Sequence, residues 1–318
     1  ILAPMEEARC ELRPLQTRAR GEEQLSYAAA LVMPIQATFA QDEKLTEEVV
    51  VIGTRTEGRS ALDSPAPVDV IGGETMSNQG DTDMSNLLRN VVPSYNVNDQ
   101  PISDAATLVR PANLRGLAPD HTLMLVNGKR RHRASVITWL GNGISNGSQG
   151  PDAAAIPALA LKRIEVLRDG ASAQYGSDAI AGVMNFVLND AREGGSVEVR
   201  YGEYKEGDGE QVTIAGNIGL PLGDSGFLNL TAEWGESDPT SRSEQRADAQ
   251  GLIDDGYQNV PAPAMIWGRP IVNDDMKLWA NFGVDLSDTL ELYGHANYNS
   301  KEVDGGFFFR NPTNRGAV

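Results

Sequence analysis

Residues 161–188 read LKRIEVLRDGASAQYGSDAIAGVMNFVL, and the fold turns on how this stretch is read. Ile164 and Val166 belong to one extended arm, and Val183, Phe186, Val187 and Leu188 to a second. Between them stand Gly170, Ala171, Ser172, Ala173, Gly176, Ser177, Ala179, Ala181 and Gly182. Side chains this small let backbones approach closely, and Asp169-Gly170 supplies a turn pair. Spacing alone fits an ordinary βαβ-like unit of a soluble domain equally well. The flanking sequence separates the two readings.

Upstream, residues 64–189 carry short, mixed elements. Residues 68–71 predict a strand. Residues 82–91 place Met84, Leu87, Leu88 and Val91 on one helical face, with Asp81 or Thr82 as N-cap and Pro93 beyond the end. Residues 95–98 and 107–117 read as extended. Residues 122–126 run into Asn127-Gly128, a strong hairpin signal. A polar, Gly-rich loop follows at 141–151. The region reads as α+β with long polar loops.

Downstream of Arg192 the pattern changes to period two. Val197, Val199 and Tyr201 alternate with Ser196, Glu198 and Arg200; four further segments, near 212–220, 228–234, 276–286 and 290–298, do the same. Strands of about ten residues with one apolar and one polar face fit a membrane barrel with a wet lumen. A soluble sandwich alternates too. Connection lengths favour the barrel. Segments two and three are joined by residues 223–226, four and five by 287–289, whereas a long polar loop, 238–275, separates three and four. Short turns on one side and long loops on the other are the outer-membrane pattern. The odd-numbered strands then run outward, and Tyr201, Trp234 and Tyr298 fall where an aromatic girdle belongs.

Composition narrows the function classes. The net charge of -17 argues against nucleic acid, which needs clustered Lys and Arg. The one basic run is 129–133. One cysteine, Cys10, excludes an intramolecular disulfide and a multi-cysteine metal site; His121, His132 and His295 show no ligand spacing. No apolar run reaches the roughly 18 residues of a membrane helix. Gly143-Ile144-Ser145-Asn146-Gly147 matches the hydrolase elbow, but Gly150-Pro151 stands where a helix should follow, and the only downstream histidine is His295. Gly141-Asn142-Gly143 opens a dinucleotide fingerprint that fails at Asn146. The chain reads as a non-enzyme without a cofactor.

The N-terminal part reads as a targeting leader. Residues 25–40, LSYAAALVMPIQATFA, form a short apolar core ending in small residues before Gln41-Asp42-Glu43, which suits cleavage after Ala40. Residues 1–24 are mixed in charge and lack a basic leader. Next, Val49-Val50-Val51-Ile52 are four β-branched residues in a row, flanked by acids and Gly53. A strand with unpaired backbone can add to a partner's sheet; it can equally be the first strand of the next domain.

In this order, the pieces resemble the TonB-dependent outer-membrane receptors. The resemblance is carried by EEVVVIGTR (47–55), like a TonB box, and by NLRGLAPDHTLMLVNGKR (113–130) with IPALALKRIEVLRDGASAQYGSDAIAGVMNFVLN (156–189), which look like the family's plug domain. It extends from about residue 46 to the end. It implies an α+β plug domain followed by antiparallel transmembrane β-barrel strands in the bacterial outer membrane. The division is then a leader and signal peptide (1–40), a periplasmic segment with the box (41–63), the plug (64–190) and the N-terminal part of the barrel (191–318).

The resemblance further implies energised uptake of a scarce substrate such as a ferric siderophore, with TonB, outer-membrane lipid and a small-molecule substrate as partners. A secreted or surface β-rich adhesin is the alternative. Glu48, Val49, Val50, Val51 and Ile52 would bind TonB. Arg115, Arg168 and Glu165 look like the family's plug charges; the two arginines would pair with lumen-facing wall acids, with Glu198, Glu233 and Glu291 as candidates. Arg168→Ala is then expected to loosen the plug. The small residues of 161–188 would let the plug fit a crowded lumen. Substrate contacts are expected from Asn98, Asp99, Gln100 and Ser103, and from Arg133, Trp139 and Asn142. Only Gln41 to Thr46 separate the inferred cleavage from the box, which favours a transporter over a signalling transducer. Five strands cannot close a barrel of about 22, so a longer receptor is expected.

Overall fold

The computed structural model describes residues 49–50, 52, 59–60, 67–97, 108–110, 112–138, 145–287, 289–306 and 308–313. The inferred leader and cleavage site lie outside them. In chain order the first part holds β1 (Val49–Val50), β2 (Arg59–Ser60), β3 (Val68–Gly72), α1 (Gly73–Ser77), α2 (Met84–Val91), β4 (Tyr95–Val97) and β5 (Ala112–Leu114). It continues with β6 (Thr122–Val126), β7 (Lys129–Arg130), β8 (Leu161–Leu167), α3 (Ser172–Tyr175) and β9 (Gly182–Leu188). One sheet has the order β3-β8-β9-β6-β7; β6 and β9 are parallel, the other neighbours antiparallel.

Both faces of this sheet are covered, which is why its central strand β9 reads as a nearly unbroken apolar run. On one face Met184 and Phe186 of β9, with Ile164 and Val166 of β8, pack under Met84, Leu87 and Leu88 of α2. On the other, Val183, Leu123, Leu125 and Leu167 pack with Ala171 and Ala179. The helix α2 is amphipathic as its spacing requires, but the N-cap is Asp83, one or two residues later than expected. Its carboxylate accepts from the Ser85 amide at 2.8 Å and the Asn86 amide at 3.3 Å. Asn127 and Gly128 stand at φ 48° and 74°, the left-handed pair that a two-residue hairpin needs.

The small residues of 161–188 serve the interior of this domain. Ala171, Ala179 and Ala181 are buried within it, whereas Gly170, Ser172 and Ala173 are exposed. Gly182, at φ 149°, has no room for a side chain: a Cβ would lie 2.4 Å from the Leu167 carbonyl oxygen and 2.8 Å from Leu114 Cδ2. Gly182→Ala is expected to cost about 3 kcal/mol through overpacking and backbone strain. Limited proteolysis of the domain should detect it as faster cleavage.

The second sheet contains β10 (Gly195–Gly202), β11 (Gln211–Leu222), β12 (Gly226–Ser237), β13 (Ile271–Ser287) and β14 (Leu290–Asp304), in sequence order and antiparallel throughout. The helix α4 (Ala247–Asp254) lies in the long loop between β12 and β13. Alternation sorts the faces as expected. Val197, Val199, Ile218 and Leu278 point away from the first domain, with Val197 78% exposed. Asn217, Asn229, Thr231, Glu233, Lys277 and Asn281 point toward it and are buried. Tyr201 and Tyr298 stand exposed on the outer face. Strands β11 and β12 have 12 residues each, enough to cross a hydrocarbon layer when tilted. An apolar face of this extent is not compatible with water and is suited to lipid. Among the described residues no helix is long and apolar enough to cross a membrane.

Candidate functional site

The first domain sits on the polar face of the strand sheet, and the contact is built from side chains of both. Trp279 of β13 joins the domain's hydrophobic core, and its indole N–H donates to the Ala155 carbonyl at 3.0 Å. Asn281 donates to the Asn189 carbonyl at 3.0 Å and accepts from Asn127 at 3.1 Å. Arg131 lies over the Trp279 ring at 5.2 Å and donates to Asn297 at 2.8 Å. Arg200 of β10 donates to backbone carbonyls of Ser77, Gln79 and Asp81.

At the ends of the strands joined by the long connections, a cavity of about 460 Å³ opens between the two parts. Thr82, Asp83, Asn86 and Arg110 form its floor. Glu233, Lys277 and Lys301 form its wall, and Tyr204, Trp267 and Arg269 stand at its lip. The charges are arranged in pairs. Arg110 pairs with Asp83, and Lys277 Nζ is 2.6 Å from Glu233 Oε1. Burial pushes the Asp83 carboxyl up, but Arg110, Lys277 and Lys301 outweigh it and hold the group below the usual carboxylate range. Asp152, half-buried nearby, is pushed up by burial, which Lys301 and the Ala154 amide do not fully offset. At the lip, the guanidinium groups of Arg242 and Arg269 both lie against the Tyr204 ring, at 5.4 and 5.5 Å from its centre. A mixed-charge cavity with aromatic rims can hold a polar small molecule of several functional groups.

The residues singled out from sequence fall differently from expectation. Arg168 donates to Asp69 at 2.9 Å, within the first domain. Arg115 is 3.8 Å from Asp169, also within it. Glu165 is fully buried and pairs with Arg163 at 2.9 Å. The candidate wall acids have strand neighbours as partners: Glu198 pairs with Arg200 and Glu233 with Lys277. Glu291 is exposed. The reason is register. Val68 opposes Leu167 and Asp69 opposes Val166, which sets Asp69 beside Arg168. Arg168 and Asp69 side chains are 35% and 34% exposed. Arg168→Ala is therefore expected to cost under about 1 kcal/mol and to leave the protease resistance of the domain as it was.

Three residues of the segment 48–52 are described. Val49 and Val50 pair antiparallel with Ser60 and Arg59, and Ile52 is buried against Val68, Leu123 and Val183. Glu48 and Val51 lie outside the described residues. So do Asn98, Asp99, Gln100, Ser103, Trp139 and Asn142; Arg133 is described and exposed. Sequence reasoning missed Asp83, Arg110, Tyr204 and Arg269. The cap was expected at Asp81 or Thr82 and not at Asp83, and the others sit in polar loops with no pattern. Ser145 of the elbow-like motif is buried and donates to Asn113 at 3.2 Å. Among the described residues no group of His, Cys, Asp and Glu could hold a metal ion.

Comparison with known proteins agrees with this architecture. The family model for the TonB-dependent receptor plug domain matches residues 60–183. An iron-regulated outer membrane virulence protein of Vibrio cholerae is 32% identical over 164 residues, which is 51% of this chain and 23% of that protein. The ferrienterobactin receptor of Escherichia coli is 28% identical over 270 residues, covering 81% of this chain and 34% of the receptor. A crystal structure of a ferric enterobactin receptor variant from Pseudomonas aeruginosa, in complex with enterobactin, superposes with a TM-score of 0.55 at 20% identity. It covers 75% of this chain and 33% of that chain, and shows the shared fold. The chain spans about a quarter to a third of the length of the curated relatives it matches. The chain thus carries a TonB-dependent receptor plug domain, matched over residues 60–183, followed by antiparallel strands with a lipid-suited face.

Proposed function

We propose that the protein takes part in energised uptake of a scarce small substrate, such as a ferric siderophore, across the bacterial outer membrane, and that it performs no catalysis. The observation that supports this most is the cavity between plug and wall, which opens where the long loops lie and is floored by the plug. Substrate held there would rest on the very domain that must move for it to pass. Relatives named as iron-regulated and ferrienterobactin receptors point to the same class of cargo.

In this reading the segment from Glu48 to Ile52 is the element that TonB engages by strand addition. Residues 1–40 are the leader, 41–63 the periplasmic segment, 64–190 the plug and 191–318 wall strands. Because Val49 and Val50 are paired to β2 and Ile52 is buried, the partner strand must displace these contacts. Arg133, with residues 98–103, Trp139 and Asn142, remains a candidate for substrate contact beside the cavity residues.

The test is deletion of residues 48–52 in the full-length receptor, assayed with radiolabelled ferric siderophores. Surface binding should persist, while uptake dependent on the proton gradient should fall to background. Uptake that survives the deletion refutes the reading; so does cell adhesion as the only phenotype of the gene.

A further inference from the structure

Among the described residues, Arg200 of the wall grips the plug through three backbone carbonyls. β10 turns Val197, Val199 and Tyr201 outward and Glu198 and Arg200 inward. The Arg200 guanidinium enters the turn that follows α1. One terminal nitrogen donates to the carbonyls of Gln79, at 3.1 Å, and Asp81; the other donates to the carbonyl of Ser77. Nε donates to Glu198, which holds the fork in place. The last carbonyls of a helix have no partner within it, and cations are favoured there. α1 has no basic residue in its last turn. The wall supplies the cation, and the planar fork of Arg suits several carbonyls at once.

The clamped turn leads directly into the floor of the outer cavity. Asp81 accepts from the Asp83 amide at 2.9 Å and from the Asn86 side chain at 2.8 Å. Asp83 then caps α2. Beside it, the side chain of Gln211 in β11 donates to the Thr82 hydroxyl. Thr82, Asp83 and Asn86 face Lys277 and Lys301 across the cavity. The position of the floor relative to the wall is set on this side through Arg200.

We propose that Arg200 is a positioning residue that registers the plug against the wall and holds the floor of the outer cavity. The role of that cavity rests on the uptake reading; the clamp does not. Its acceptors are backbone carbonyls, so the grip depends on the arginine and not on the side chains at 77, 79 and 81.

The experiment is hydrogen exchange on the purified full-length receptor in detergent, with neither TonB nor substrate present. In Arg200→Ala, the amides of Asp83, Ser85 and Asn86 should exchange about tenfold faster, as loss of a charge-assisted hydrogen-bond set implies. Amides of 182–188 and 211–222 should keep their protection. Arg200→Lys should be intermediate, because an ammonium reaches fewer of the carbonyls. Glu198→Gln should stay near the parent. Unchanged exchange at 83–86 overturns the proposal. A uniform rise across the plug, or no recovery in Arg200→Lys, also overturns it, since either shows general destabilisation. If Arg200→Ala does not fold, Arg200→Lys carries the test: raised exchange confined to 83–86 supports the clamp, and parental exchange refutes it. Failure here leaves the uptake reading standing, and loss of that reading leaves the exchange result unaffected.

Discussion

Glu165→Ala is expected to remove about 3–5 kcal/mol from the stability of the plug, because it takes away one member of a buried ion pair. Glu165 is fully buried on the central part of the sheet. One carboxylate oxygen accepts from Arg163 at 2.9 Å, and the other from the Asn185 amide at 3.0 Å. Asn185 in turn accepts from the Gly128 amide at 2.9 Å. The network ties β8 to β9 and to the β6–β7 turn. In the alanine variant Arg163, itself only 13% exposed, loses this carboxylate, and a buried amide donor loses its acceptor. Removing both charges, in Glu165→Ala with Arg163→Met, should recover part of the loss, since the two groups are buried as one pair. Exchange across 161–188 in the full-length receptor reads both effects. A Glu165→Ala plug as protected as the parent would sink the argument.

Lys277→Met should cost a similar amount, about 3–5 kcal/mol, for the reverse reason: it leaves a buried anion. Lys277 and Glu233 are direct cross-strand partners on β13 and β12. Their side chains are each 9% exposed, at the wall of the cavity between the strands and the plug. Asp275 lies 3.6 Å from the same ammonium, so two acids lose their counter-charge together. The heat-unfolding midpoint of the detergent-solubilised receptor should fall in Lys277→Met and rise again when Glu233→Leu is added. Lys277→Arg should stay near the parent. No recovery in the double variant would mean that the pair does not act as a unit.

Both networks bear on how far the sequence could be read. The alternation of Val197, Val199 and Tyr201 with Glu198 and Arg200 placed each residue on its face, because a strand has a strict period of two. The Asn127-Gly128 pair located a hairpin, because few residues tolerate its left-handed backbone. These signals are local, and the structure follows them. The segment 161–188 was legible as strand, small-residue turn and strand, but the reason for its small residues was not. Gly182 is small because Leu167 and Leu114 of the plug itself approach it, a contact between elements far apart in the chain.

The charge partners were illegible for the same reason. Alternation says that Glu198, Arg200, Glu233 and Lys277 share a face; it does not say which pair. Arg168 turned from a presumed plug–wall bond to Asp69 once β3 paired with β8 in one particular register. Part of the wall's hold comes from Arg200, whose acceptors are backbone carbonyls, which leave no side-chain signal in the sequence.

By itself, then, the sequence determined the class of fold, the face of every wall strand, the side on which the long loops lie and the family resemblance. Each of these depends on side-chain type and spacing along a continuous stretch. Only the tertiary structure decided how the plug is fastened, which charges pair, that Ile52 is buried, and that Asp83, Arg110 and Lys277 meet around one cavity. Those depend on register and docking between separate segments of the chain, where distance in space is set by packing and leaves no local pattern in the sequence.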